Sequence, residues 1–374
     1  MALSKILNAS VTDSTLTTTK LATPNLGRRN LIINGAMQVA QRGTTTTDSN
    51  GYGVDRLRGA IAAAVQYVSA YTQSTTTPTG FANSLKVATT TAETTFATNF
   101  LSRMLYRIEG QDLQMLNWGS SDAIPLTLSF HVRSNLTGTY GMEFRCNDSG
   151  NSTNTQTYTI SSANTWEKKT ILLPANTSAS IDNDNSNGFE IGWCLSAGTN
   201  FTTGTQQSGY VNGPTTANRF AGHNVNHSNS TSNEWYITGV QLEVGSQATP
   251  FEHRSFGEEL SACQRYYYHT YSYGSPAGTT FNQDYEAPII IIGTGNHGMG
   301  VCNAVYPVEM RAIPTVSFYG SDGTANRIRY WNAGSLSTYG TVNRSTRQIL
   351  GMSFNAGTNP EDFYSAALVC DAEL

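Results

Sequence analysis

The chain has 374 residues, a formal charge of −4 and only 13% charged residues, against roughly 25% in an ordinary soluble domain. Its polar surface must therefore come from Thr, Ser, Asn and Gly, which suit strands and turns. The sequence shows no basic excess and no Lys/Arg stripe, so a nucleic-acid groove is not expected, and no apolar run approaches the roughly 20 residues of a membrane span.

Residues 1–28 carry sparse apolar side chains, Leu3, Ile6, Leu7, Val11, Leu16 and Leu21, separated by Thr, Ser and Asp. Such a stretch cannot bury a core of its own, and one turn of helix is not stable alone in water. It is either a disordered tail or an arm ordered by neighbouring chains or a docking surface. The first residues lack the long apolar core and small-residue cleavage site of a signal peptide. Pro24 and Gly27 then break the chain.

From residue 29 to about 254 the pattern is β. In IPLTLSFHVR (124–133), Leu126, Leu128 and Phe130 alternate with Thr127, Ser129 and His131, as in a half-buried strand. Tyr140, Met142 and Phe144 repeat this, and strands are expected at 166–173, 189–195 and 235–244. Residues 60–65 read as a short buried strand, and 110–116 as a single helical turn. Asn/Ser/Thr/Gly-rich loops at 147–155 and 175–188 separate these runs. Many strands with polar connections imply a sandwich.

Ser255-x-x-Glu258 is a capping-box pattern, in which serine and glutamate satisfy orphan backbone donors reciprocally. It opens a helix expected over 255–267, with Leu260, Cys263 and Tyr267 on one face. The last unit, 255–374, then carries strands at 289–292, 301–305, 315–319, 327–331, 348–354 and 363–372. Its prolines, such as Pro288, Pro307 and Pro360, fall between or at the edges of these runs, where strands tolerate them.

Few residues point to chemistry. Tyr271 and Tyr273, with Tyr267, would share a face of an extended stretch. Together with Tyr330 and Trp331 they are candidates for stacking on sugar rings; core or subunit-interface packing is the plainer use of such a cluster, and Tyr319 belongs with it. Asp182, Asp184 and Glu190 surround an oxygen-rich loop that could converge on calcium, though the glycine sits one place late for an EF-hand. A polar hairpin loop explains it as well. His223 and His227 are four apart in a Gly/Asn/Ser-rich loop, a poor setting for a metal, and the loop is expected near a partner surface. The carboxylates, among them Glu109, Glu143, Glu190, Glu234, Asp284 and Glu309, show no spacing that singles out a glycosidase pair. No cofactor is called for, and no enzyme is expected. Five scattered cysteines without a C-x-x-C pair read as free, mostly buried thiols, in keeping with assembly in a reducing cytoplasm.

Residues 30–42 read NLIINGAMQVAQR and 52–56 read YGVDR. Residues 239–265 read GVQLEVGSQATPFEHRSFGEELSACQR, 307–315 read PVEMRAIPT, and 371–374 read DAEL. Together, and in this order, they resemble tail-fibre and related virion structural proteins of tailed bacteriophages. VTDSTLTTTKLA (11–22) resembles the repeats before the trimeric parts of phage fibres, and RIEG (107–110) resembles jelly-roll modules of carbohydrate-binding type. The resemblance implies an all-β chain: an extended N-terminal arm (1–28), a jelly-roll β-sandwich (29–254), a short connecting helix and a second C-terminal β-sandwich (255–374). It implies a non-enzymatic tail or head fibre on the virion. Such a fibre forms a homotrimer, attaches to other virion proteins by its arm, and binds a host-surface glycan or receptor, without nucleic acid or membrane insertion. A purely structural capsid-decoration or tail accessory protein is the first alternative. A polysaccharide-degrading tailspike is the second.

Overall fold

The computed structural model describes residues 29–48, 51–64, 66–281, 290–292, 299–330, 336–337, 340–355 and 363–374. The expected arm, with Leu3, Ile6, Leu7, Val11, Leu16 and Leu21, lies outside these residues, as do Trp331 and Asp284.

Eleven strands come first: β1 (Thr45–Asp48), β2 (Arg58–Ala62), β3 (Val68–Ser74), β4 (Ser84–Thr91), β5 (Leu101–Glu109), β6 (Leu126–Ser134), β7 (Gly138–Cys146), β8 (Ser152–Ile160), β9 (Glu167–Leu173), β10 (Asn187–Ala197) and β11 (Glu234–Val244). They form a six-stranded sheet, β1-β3-β4-β11-β6-β9, and a five-stranded sheet, β2-β5-β10-β7-β8. Every pairing is antiparallel. The chain crosses repeatedly from one sheet to the other, as jelly-roll connections do. The fold class is therefore all-β, with sandwich architecture.

Period-2 alternation builds the core. Leu126, Leu128, Phe130 and Val132 of β6 meet Tyr140, Met142 and Phe144 of β7 and Phe189, Ile191, Trp193 and Leu195 of β10. On β11 the inward set changes phase, from Trp235 and Ile237 to Val240 and Leu242. A register shift between Thr238 and Gln241 makes this possible. Gly239 sits in that bulge at φ +61°, where a side chain would be strained. The expected buried strand at 60–65 is corrected: β2 ends at Ala62, and Ala62, Ala63 and Ala64 are exposed. β2 is an edge strand of its sheet, and beyond Ala62 the chain leaves the sheet. Gly110–Leu116 is a 3-10 helix, in line with the helical turn expected there.

The connecting helix spans Phe256–Gln264, and both halves of the Ser255/Glu258 capping box are formed. It ends three residues sooner than expected, because Tyr267 begins β12 (Tyr267–His269). The backbone carbonyl of Tyr266 already accepts from Ala372 N at 2.8 Å. Consequently Tyr266, not Tyr267, packs with Cys263 and Leu260, beside Ile33 and Val39.

The remaining strands are β13 (Ile290–Ile292), β14 (Met299–Val305), β15 (Thr315–Tyr319), β16 (Ile328–Tyr330), β17 (Leu336–Ser337), β18 (Gly340–Ser345), β19 (Ile349–Asn355), β20 (Phe363–Ser365) and β21 (Ala367–Asp371). They form three small antiparallel sheets, β12-β21-β15, β13-β20-β16-β17 and β14-β19-β18. Cys146, Cys194, Cys263 and Cys370 are buried free thiols.

Candidate functional site

Residues 30–42, 52–56, 239–265, 307–315 and 371–374 meet at one seam, where the connecting helix and β12–β21 pack on the sandwich. The Asn30 side chain donates to Val240 O at 3.0 Å and accepts from Ile32 N and Leu242 N. Asn34, at φ 60°, donates to Val39 O and Asp55 O. Its own N–H reaches the Glu259 carboxylate of the helix at 2.5 Å. Gln41 Nε2 bridges Asp55 Oδ2 (2.6 Å) and Tyr267 O (2.8 Å). Gly35 is required here, because a Cβ at that position would lie 2.2 Å from Val240 O.

Arginines close the seam. Arg56 pairs with Glu373, and its guanidinium lies 3.4 Å from the Tyr266 ring centroid. Arg42 reaches Glu373 at 3.2 Å and stacks on Tyr267 at 3.7 Å. Arg311 donates to Ala372 O at 2.7 Å and to Asn185 O at 2.6 Å. Burying these charges costs less because Arg42 and Arg56 meet the Glu373 carboxylate and Arg311 meets backbone carbonyls. This framework ties the connecting helix and β12–β21 to the sandwich.

The structure separates the aromatic candidates. Tyr271 is only 7% exposed and packs with Tyr267, Phe281, Ala367 and Val369. This corrects its expected stacking role: its faces are already used in the core. Tyr273 is 49% exposed. Its hydroxyl accepts from Ala40 N at 2.9 Å and donates to Gln38 O at 3.2 Å. Its ring stands edge-on to Phe256, 44% exposed, at 5.3 Å between centroids. Sequence reasoning misses Phe256, since nothing local places it beside Tyr273, 17 positions on. Tyr330 lies on β16, where only its backbone is described.

The expected calcium set does not converge. Asp184 accepts from Ser186 N, and Asp182 N donates to Asp148. Glu190 stands on β10 and pairs with Arg107 at 2.7 Å. Among the described residues no group of three or more His, Cys, Asp or Glu could hold a metal ion. His223 and His227 are corrected as well. Both are buried: His223 Nδ1 accepts from Gly141 N on β7, while His227 Nε2 lies 3.2 Å from Val87 O on β4. They pin a loop to two sheets, and burial pushes both down to about 4.

The carboxylates are structural in their pairing. Glu143 and Glu190 are near neighbours on the outer face of the five-stranded sheet, both reached by Arg103 Nη1, at 2.9 and 3.6 Å. Arg219 adds two bonds to Glu143, at 2.6 and 2.7 Å. Burial would raise the Glu143 pKa, but the Arg219 hydrogen bonds and the charges of Arg219, Arg103 and Arg145 outweigh it and hold it low.

No protein-family model matches the chain, and no curated protein sequence matches it. Among solved structures it is similar to the enzymatically active domain of tailspike protein 4 of bacteriophage CBA120. The identity is 12% over 57% of this chain and 21% of that one, with a TM-score of 0.28. It is similar to the xylanase 10B carbohydrate-binding and catalytic modules of Clostridium thermocellum at 10% identity, over 60% of this chain and 30% of that one (TM-score 0.30). It is also similar to a proposed sugar-binding protein of Bacteroides thetaiotaomicron at 11% identity, over 58% of this chain and 100% of that one (TM-score 0.31). The chain thus spans less than a third of the first two. At these scores the likeness carries no argument, and any functional reading must rest on the chain's own residues.

Proposed function

We propose that the chain is a fibre protein of a tailed-bacteriophage virion, on tail or head. It attaches through residues 1–28 and binds a host-surface glycan reversibly, without bond cleavage. The observation that carries the binding is Tyr273. Its ring is half open to solvent, yet it is held by hydrogen bonds to Gln38 and Ala40 and by Phe256. A ring fixed before the ligand arrives loses little entropy on stacking. The residues that hold it belong to the segments resembling virion proteins, and the charged seam supports a stiff two-unit body suited to a fibre.

Assembly is a homotrimer in the host cytoplasm, where free thiols persist, and three copies meeting on an axis give the arm's scattered leucines a place to bury. One stacked aromatic gives an affinity of roughly millimolar order; three copies per fibre raise avidity without new contacts. The decoration and tailspike alternatives are separated by one experiment on host cells. Saturable binding of the full chain, a scattering mass near three chains, and no release of reducing ends support the fibre. Oligosaccharide release favours the tailspike. Normal adsorption of particles lacking the protein favours decoration.

A further inference from the structure

The outer face of the five-stranded sheet is cationic in a chain that is acidic overall. Register places Arg107, Glu190 and Arg145 in one cross-strand row, and Arg58, Leu105, Gly192 and Glu143 in the next. Arg103 follows on β5, and Arg219 leans in from the loop after β10. Five guanidiniums thus share the face with two carboxylates.

Those carboxylates lie beneath the arginines. The Glu143 and Glu190 side chains are 2% and 5% exposed, while Arg107 and Arg145 are 26% and 27% exposed. What solvent meets is guanidinium. Arg103 Nε and Arg145 Nε are buried without a hydrogen-bond partner. Burial lowers the Arg103 pKa, and Arg219 and Arg145 crowd it further, against the pull of both glutamates. At its Arg58 end the face borders Glu373, which pairs with Arg56, and Arg107 Nη1 also donates to Leu374 O.

We propose that this face receives acid groups of an anionic saccharide, with Arg58, Arg107 and Arg145 as their partners. Planar guanidinium forks match carboxylate and phosphate oxygens in pairs. The acid is a uronate carboxylate or a sugar phosphate, which share this chemistry. This deepens the glycan reading and rests on it, while placing charge recognition on the sandwich, apart from the Tyr273 ring.

The test is affinity electrophoresis of the full chain through gels containing polygalacturonate, a phosphomannan or neutral dextran. Retardation by an acidic polymer and not by dextran is expected, weakening as salt rises. Retardation by polygalacturonate identifies the carboxylate, and retardation by phosphomannan alone identifies the phosphate. The R58Q/R145Q double variant should bind about tenfold more weakly, because these arginines are partly screened by water. Its melting temperature checks the fold, and R58Q alone, on an edge strand, is the fallback if the double variant unfolds. Equal retardation of the wild type and a folded arginine variant would overturn the proposal. So would no retardation in either acidic gel. If host cells then still bind the chain in a Tyr273-dependent way, only this inference fails and the glycan reading stands.

Discussion

Arg265 closes on Glu109 with two parallel hydrogen bonds, Nε to Oε1 at 2.9 Å and Nη2 to Oε2 at 2.7 Å, across 156 positions of sequence. The same carboxylate accepts from the Tyr266 hydroxyl and from Gln111 Nε2, both at 2.6 Å. Glu109 is fully buried at the end of β5, and Arg265 follows the connecting helix. One carboxylate thus ties the sandwich to the C-terminal unit. Removing a single partner from such a set leaves a buried charge short of donors.

Arg265→Ala should therefore lower stability by about 2 kcal/mol, the scale of hydrogen bonds to a charged group. Urea unfolding curves of the wild type, R265A, E109Q and the double variant measure it. The two single losses should not add, because both break the same pair. Additive losses would show that each residue acts elsewhere.

The Glu143 pair gives a pH signature. Its pKa is lowered in the folded state, so the stability it contributes is complete above the ordinary glutamate range. That contribution is lost as pH falls through the lowered value. Asp55 and Glu259 are raised, Asp55 by burial against Arg42 and Glu259 by burial against Asn34 and Arg254; their contributions run the other way, so the whole-protein acid curve does not isolate Glu143. The difference between wild type and Glu143→Gln does. The gap in melting temperature should be widest at neutral pH, begin to narrow as pH falls through the ordinary glutamate range, and close only below the lowered value. A gap that stays constant would mean that the arginines do not act on the charge.

What is legible in the sequence is local. Leu126, Leu128 and Phe130 announce a strand because alternation needs only near neighbours. The capping box at Ser255 and Glu258 is readable for the same reason. β5 is not, since in LSRMLYRIE both faces are largely buried and alternation disappears. The pairing of Asn34 with Glu259, or of Glu109 with Arg265, has no local signature at all. Alternation also misleads: it puts Tyr271 and Tyr273 on one face, but a bend at Ser272 and a turn into Gly274 (φ +79°) send them apart.

Ser255→Ala should cost on the order of 1 kcal/mol locally. The serine hydroxyl accepts from Glu258 N at 3.3 Å, and the Glu258 carboxylate accepts from Ser255 N at 2.9 Å. Hydrogen exchange at residues 256–259 should speed up, with the β6, β7 and β10 amides unchanged. Unchanged exchange at 256–259 would mean that packing against Ile33 and Val39 fixes the helix start without the cap.

Tyr271 and Tyr273 stand two residues apart and should give opposite results. Tyr271→Ala empties a slot between Tyr267, Phe281 and Val369 and should cost about 3 kcal/mol as a large-to-small core change. Tyr273→Ala removes a half-exposed ring and two hydrogen bonds at the surface, so its cost should stay near 1 kcal/mol. Binding to host cells should respond in reverse. Tyr273→Ala should weaken adsorption of the full chain several-fold, since a stacked aromatic is worth about 1 kcal/mol at each of several linked sites. Tyr273→Phe removes the hydroxyl tie while keeping the ring, and should fall between wild type and alanine. Tyr271→Ala, measured well below its own melting temperature, should bind as the wild type does. If Tyr273→Ala binds normally, the exposed ring belongs to an interface between chains, and the sugar must be met elsewhere.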